Sequence, residues 1–469
     1  MKPKKPIQHV TIFIILISIT ACTFFNSPQP PDLKKSDIPK HYLIDISKQG
    51  PDFFKGLEAF HDKHLTALIN QAIHSNFSLM SARATYLQTK AQAQMIHALG
   101  YPQINGSFEP SISKSRVENK GTGDWTNLFS LGMMSSFEID FWGKIRAQKK
   151  SAQFSFDAVR WDYQTAMISL ISELTLCWID IISQNIKYEL LETQLATNRT
   201  YLKLIEMRFQ KGMVSALDLY QQQQVVESIL SQLPLIQAQK QLKINHMTLL
   251  CGATSSSKIS ITRNELPELD SLPVSGVPSD LLSNRPDIQA SWHRLMASYQ
   301  DVQVAKANQL PSLSLGASGN FQSDKMGDLF NFWLVRLTAN LTGPLFDAGQ
   351  RKAQTQTKKA KASGYLSQYR QTVYTAIKEV EDALVQEHYQ IKHLEALKKE
   401  YQTAQKALDE ARNRYNRGVS SYLPVLTHNL SVQKLERALV ENEAQRIRYR
   451  VYLYRALGGK LPKELFVFQ

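Results

Sequence analysis

Few side chains in this sequence are spaced for chemistry, and those few point away from catalysis. His61 and His64 could place two imidazoles on one helical face. Two imidazoles without a third ligand are a weak metal signal, and a surface helix explains them better. The three cysteines, Cys22, Cys177 and Cys251, make no disulfide framework. No Ser-His-Asp pattern, phosphate loop or HExxH motif occurs, so neither an enzyme nor a cofactor is expected. What the chain writes twice is a basic turn: RFQKGMVSALD, Arg208 to Asp218, returns as RYNRGVSSYLP, Arg414 to Pro424, at an offset of 206 residues. Arg208, Lys211, Arg414 and Arg417 supply hydrogen-bond donors around Gly212 and Gly418. Such glycines adopt the left-handed conformation that ends a helix. Ser215 and Ser421 follow as candidate caps of the next helix, and Pro424 suits a first helical turn.

These turns need long elements to carry them. From Gly143 to Lys211 there is no further proline or glycine, and from Gln350 to Arg417 only Gly364 interrupts. At ~1.5 Å per residue each run would make a helix of roughly 100 Å. In the second run Val373, Val380, Leu394, Tyr401 and Leu408 share one seven-residue series, Glu387 interrupts it, and Ile377, Leu384 and Ile391 form another. That spacing means supercoiled packing against other helices. Return helices are expected over Ser215–Leu250 and Ser421–Leu457, which makes each doubled motif a hairpin tip. Cys177 and Cys251 then lie on opposite arms of one hairpin, 34 residues before Lys211 and 39 after Gly212. The mismatch of about five residues, roughly 7–8 Å, keeps the two thiols apart and unpaired.

Upstream of each long helix the period changes to two. PSLSLGASGNF sets Leu313, Leu315, Ala317 and Phe321 against Ser312, Ser314, Ser318 and Asn320. WLVRLTANLTG sets Trp333, Val335, Leu337, Ala339 and Leu341 against Arg336, Thr338, Asn340 and Thr342, while INGSFEPSIS and FSLGMMSSFEI alternate less strictly. Alternation over about ten residues suits a strand with lipid on one side and water on the other. Four strands cannot close a barrel, and open edges are excluded from hydrocarbon. Two chains give eight strands and a filled interior; three give twelve and a water-filled bore.

Compartment is read at the N-terminus. Lys2, Lys4 and Lys5 precede the apolar run TIFIILISITA, too short for a permanent span, so residues 1–21 read as a signal peptide. The run ends in ITAC, Ile19 to Cys22, which resembles a lipoprotein lipobox, and residues 22–60 read as a lipidated tether. MISLISELTLCWIDIIS carries Glu173 and Asp180 and reads as a buried amphipathic helix. The net charge of +14 is interspersed with acids along helical stretches, a solvated pattern and no nucleic-acid footprint. The expected organisation is a first repeat at 61–252 with strands about 104–117 and 127–139, a connection at 253–284, and a second repeat at 285–458. The second repeat carries strands about 312–322 and 332–346, and 459–469 is a C-terminal segment.

LPVSGVPSDLLSNRPDI (Leu272–Ile288), FEIDFWGKIR (Phe137–Arg146) and GVSSYL (Gly418–Leu423) closely resemble the TolC-like outer membrane factors, in particular their NodT/OprM lipoprotein branch. The resemblance spans about Leu65 to Gly459. It implies a homotrimer: a twelve-stranded outer-membrane β-barrel continued by a long periplasmic α-helical barrel, docked to a periplasmic adaptor and an inner-membrane pump of RND type. The same fold serves type I protein secretion, and a lipid-anchored periplasmic coiled-coil scaffold is the reading from another class. Family members often carry acids six and nine positions after the second tip glycine; here those positions hold Pro424 and Thr427, leaving Asp218 in the first tip. Tyr415 stands where the family uses a tyrosine to hold the entrance closed, and the partner arginine position holds Ser420. Asp218, Tyr415 and Thr427 are thus the expected gate residues. RPDI is usually followed by Ala-Glu, here Ala290-Ser291. Pro278 and Pro286 are expected to start helical segments, with Asn284 as a cap and Asp287 at the dipole.

Cys22 is expected to carry lipid. Mass spectrometry of the mature N-terminus should find residue 22 acylated; an unlipidated chain starting elsewhere overturns the assignment.

Overall fold

The structure, a computed structural model, describes Pro39, Tyr42, Phe60, 62–117, 121–254, 259, 261–269 and 278–458. The expected signal peptide, Cys22, His61, residues 271–277 of the connection and the segment from 459 onward lie outside these residues. Helices α1 (Lys63–Ser75) and α2 (Phe77–Ala98) precede strands β1 (Gln103–Val117) and β2 (Gly121–Ile139), the long helix α3 (Lys144–Gln210) and its return α4 (Ala216–Leu250). A short turn of helix, α5 (Leu281–Asn284), opens the second series. It continues with α6 (Pro286–Ala307), β3 (Ser312–Ser323), β4 (Trp333–Thr342), α7 (Gln350–Asn416) and α8 (Leu423–Leu457). Two compact units result: one holds residues 85–160 and 290–370, the other the described residues of 34–84, 161–289 and 371–458.

In the first unit the four strands form one antiparallel sheet in the order β1-β2-β3-β4. Register aligns the two alternations. Ile139, Leu313 and Leu341 fall in one row, Phe137, Leu315 and Ala339 in the next, and Leu131, Phe321 and Trp333 in another. Rows between them hold Glu138, Ser314 and Asn340, then Ser136, Gly316 and Thr338. One face is therefore apolar and the other polar across at least three strands, and the apolar one is bare: Val335, Leu337 and Leu341 are 60%, 79% and 72% exposed. Strand β2 starts at Gly121, earlier than its alternation suggested, and β4 stops at Thr342, short of 346. Gly343, Pro344 and the fully exposed Leu345 follow it.

Gly143 and Gly349, again 206 apart, sit at φ +72° and +85° where strand gives way to helix. At the first junction Asp140 accepts the free N–H groups of Ile145 and Arg146, both at 2.9 Å, satisfying donors that begin every helix. Each long helix has 67 residues. α3 is long and apolar enough to cross a membrane, but 67% of its most apolar window is buried within the protein. Met167, Ile171, Leu174, Trp178 and Ile182 lie in the core of the second unit, so protein rather than lipid covers that stretch.

The seam of α7 is buried as its spacing required at Val373, Val380, Leu394, Leu408, Ile377 and Leu384. Glu387 breaks the series because it has a cation to meet. Arg450 of α8 holds it through Nε at 3.0 Å from both carboxylate oxygens and through Nη2 at 2.6 Å, with both side chains 0% exposed. Arg285 makes a second clamp. It donates to Asp287 (2.7 and 3.0 Å), to Glu379 (2.8 Å) and to the Ala456 carbonyl at the end of α8 (2.9 Å). Pro278 and Pro286 begin helical segments as expected. Asn284 instead ends α5, and Asp287 pairs with Arg285 while accepting the Ile288 N–H. Cys177 and Cys251 are both free and buried; burial pushes the Cys177 thiol up to about 12, which leaves little thiolate for oxidation.

Removing one partner of the Glu387–Arg450 pair strands a buried charge. Arg450→Met should cost about 3–5 kcal/mol and lower the temperature at which the chain unfolds, followed by circular dichroism. The double variant Glu387→Leu/Arg450→Met should recover most of that loss. A single variant that melts like the unaltered chain overturns the assignment.

Candidate functional site

The two tips are the same backbone device. In the first, the Gly212 N–H donates to the Phe209 carbonyl at 2.8 Å and the Met213 N–H to Arg208 at 2.9 Å. In the second, Gly418 donates to Tyr415 at 3.0 Å and Val419 to Arg414 at 2.9 Å. This crossed pair satisfies the last helical carbonyls and requires a left-handed residue. The glycines supply it at φ +67° and +73°, with nothing within 4 Å of a would-be Cβ. The requirement is conformational, not steric. A third pair at the same offset, Gly252 and Gly458 at φ +66° and +70°, ends α4 and α8. The doubled turn did not reveal it, although the same subtraction would have.

Past the glycines the tips diverge. Ser215 caps α4 as expected: its Oγ accepts the Asp218 N–H at 3.2 Å, and Asp218 accepts the Ser215 N–H at 3.0 Å and its hydroxyl at 2.8 Å. Asp218 is thereby committed to its own helix start. Ser421 does not cap α8. The helix begins at Leu423, with Tyr422 at the boundary in helical conformation and no side-chain cap. The residue matching Asp218 at the offset is Pro424, which has no N–H to offer a serine.

The expected gate residues fall into local contacts. The Arg208 guanidinium lies 4.7 Å from the centre of the Tyr415 ring, joining the end of α3 to the end of α7 by a cation–π contact. The Tyr415 ring also packs on Tyr422 at 5.5 Å, and its hydroxyl is buried without a partner among the described residues. Thr427 donates to the Leu423 carbonyl within its helix at 2.9 Å. Lys211, Arg414, Arg417 and Ser421 are exposed.

Two groups of residues escaped the sequence reading. Exposed apolar side chains crown both tips at matched positions, Met213 with Val419 and Leu217 with Leu423, 51–66% exposed. Behind them lies a buried carboxamide network. Gln222 Nε2 donates to the Asn198 carbonyl at 2.9 Å, the Tyr422 hydroxyl donates to Gln222 Oε1 at 2.8 Å, and Asn429 donates to Asn198 Oδ1 at 3.2 Å. It ties α3, α4 and α8 together inside an apolar cluster that includes Ile205, Val226 and Leu426. Periodicity finds apolar seams, so polar residues that replace them pass unseen. Among the described residues no group of three His, Cys, Asp or Glu is placed to hold a metal.

The profile of the family described as outer membrane efflux protein matches residues 68–253 and 277–459. The pyoverdine export outer membrane protein OpmQ of Pseudomonas aeruginosa is 29% identical over 89% of this chain and 90% of its own. The cation efflux system protein CusC of Escherichia coli K12 is 27% identical over 95% and 98%. Among solved structures, CusC superposes with a TM-score of 0.82 at 25% identity, covering 92% of this chain and 98% of that one. The outer-membrane channel OprN gives 0.84 at 24% identity over 92% and 99%.

The unequal caps have a measurable consequence. Ser215→Ala should destabilise the first turn of α4 by about 1 kcal/mol and speed amide exchange there severalfold, whereas Ser421→Ala should leave the start of α8 unchanged. Equal effects at both tips contradict the capping scheme.

Proposed function

The chain belongs to the outer membrane efflux protein family, and from that premise we propose that it is the outer-membrane channel of a tripartite efflux system. It works as a passive duct: a homotrimer anchored by lipid at Cys22, whose three four-stranded sheets join into a twelve-stranded barrel. The observation that carries the reading is the sheet itself. One bare apolar face and two edges without partners among the described residues, β1 and β4, are tolerable only in a closed barrel within lipid. A soluble coiled-coil scaffold leaves that face unexplained.

The tips are the docking end for a periplasmic adaptor and, through it, an inner-membrane pump. Met213, Leu217, Val419 and Leu423 offer apolar anchors, and Lys211, Arg414 and Arg417 surround them with donors, the mix found at the centre and rim of protein interfaces. A trimer presents six such tips. The entrance is held by the Arg208–Tyr415 contact in place of the arginine absent at Ser420. Asp218, bound up in its cap, contributes a fixed charge. Relatives of nearly equal identity are named for pyoverdine and for cations, so the cargo is not set by what they share.

Purified, heat-modifiable trimers should conduct in planar lipid bilayers. Gly418→Val forces a branched residue to positive φ at a cost of at least about 1–2 kcal/mol. It should leave trimers and conductance intact while abolishing export and adaptor crosslinking; Gly418→Asn, tolerant of that conformation, should retain both. Absence of conductance from assembled trimers removes the channel. Normal crosslinking and export in Gly418→Val removes the docking role of the turn.

A further inference from the structure

The chain's net charge is concentrated in one place. In segments 85–98, 143–160, 290–309 and 350–370, the helical parts of the first unit, fourteen lysines and arginines face two acids, Asp157 and Asp301. That surplus of twelve compares with +14 for the whole chain. These segments adjoin one end of the strands, where β1 and β3 begin and β2 and β4 end. The same end carries exposed aromatic rings at Tyr101, Phe141 and Phe346, and the opposite end carries Trp125, Phe330 and Trp333. Two aromatic bands flanking an apolar face mark the two membrane–water interfaces. The basic helical turns therefore begin at headgroup depth.

A cleft of about 250 Å³ lies within this basic zone. Arg146, Lys150 and Lys306 line it together with Gln300, Gln303 and Trp142. Arg146 Nε is already paired with Asp140 at 3.1 Å, but neither Lys150 nor Lys306 forms an ion pair among the described residues. Gln303 Nε2 is buried there without an acceptor among the described residues. The Trp142 Nε1–H is spent on the Pro311 carbonyl at 2.6 Å, so the indole offers the cleft its ring. Two unneutralised ammonium groups, an unused amide donor and an aromatic wall at the interface make a receptor for an anion attached to an apolar tail.

We propose that this cleft binds the phosphate of an anionic phospholipid headgroup in the periplasm-facing leaflet of the outer membrane. Lys150 and Lys306 bracket the phosphate oxygens, Gln303 offers a further hydrogen bond, and the acyl chains lie toward the aromatic band of Tyr101, Phe141 and Phe346. The site rests on the reading of the sheet as membrane-embedded. A phosphate without acyl chains has the same charge but nothing for the aromatic band to meet, which favours the lipid over free phosphate.

The test is native mass spectrometry of the purified full-length trimer titrated with phosphatidylglycerol, with phosphatidylcholine, and with inorganic phosphate. Phosphatidylglycerol should bind selectively and survive millimolar inorganic phosphate. The double variant Lys150→Gln/Lys306→Gln should bind it about thirtyfold more weakly, the expectation for two basic groups lost at an anionic surface. Lys150→Arg/Lys306→Arg should keep most of the affinity, and Lys352→Gln/Lys359→Gln, outside the cleft, should match the unaltered chain. Equal binding of phosphatidylcholine, competition by inorganic phosphate, or an unaffected glutamine double variant each overturns the site. Failure of the membrane reading itself shows separately, as trimers that do not conduct.

Discussion

Peptide groups cannot be left unpaired in hydrocarbon, and one copy of this chain leaves two rows of them. Strands β1 and β4 are edges, and every residue of β4 is exposed. A lone sheet of this composition would aggregate through those edges. The proposed closure by three copies answers the constraint, and much else follows from it. On that proposal the edge strands leave their pairing groups to further copies of the chain, while the apolar core of the second unit is built by helices.

Elements with a single dominant period were legible in the sequence. The long helices α3 and α7 showed themselves by the absence of breakers, β3 and β4 by strict alternation, and the turns by repetition at 206 residues. In each case local chemistry and tertiary environment ask for the same residues. Strand β2 starts at Gly121, before its alternation becomes regular, and β4 ends at Thr342, where Gly343 and Pro344 interrupt an apolar pattern that Leu345 and Phe346 prolong.

What stayed hidden depended on partners distant in the chain. Glu387 interrupts a heptad series, and its reason, Arg450, lies 63 residues further along the chain. Asn198 and Gln222 carry no pattern that separates a buried amide from a solvated one. Ser421 failed as a cap through a proline three residues on, a conflict visible locally but outweighed by the analogy with Ser215. The Arg208–Tyr415 contact joins residues more than two hundred positions apart, and no local pattern pairs them.

The carboxamide network behind the tips sets how this end of the molecule can move. Helices in contact only through aliphatic side chains can slip along one another by a turn and find nearly equivalent hollows, because dispersion contacts have little sense of position. Amide and phenol groups with assigned donors and acceptors lose their partners on such a slip and find no substitutes. Asn198, Gln222, Tyr422 and Asn429 thus act as a detent that fixes the axial register of three helices. An axial slip of any one of them must break these bonds, whereas a small tilt need not.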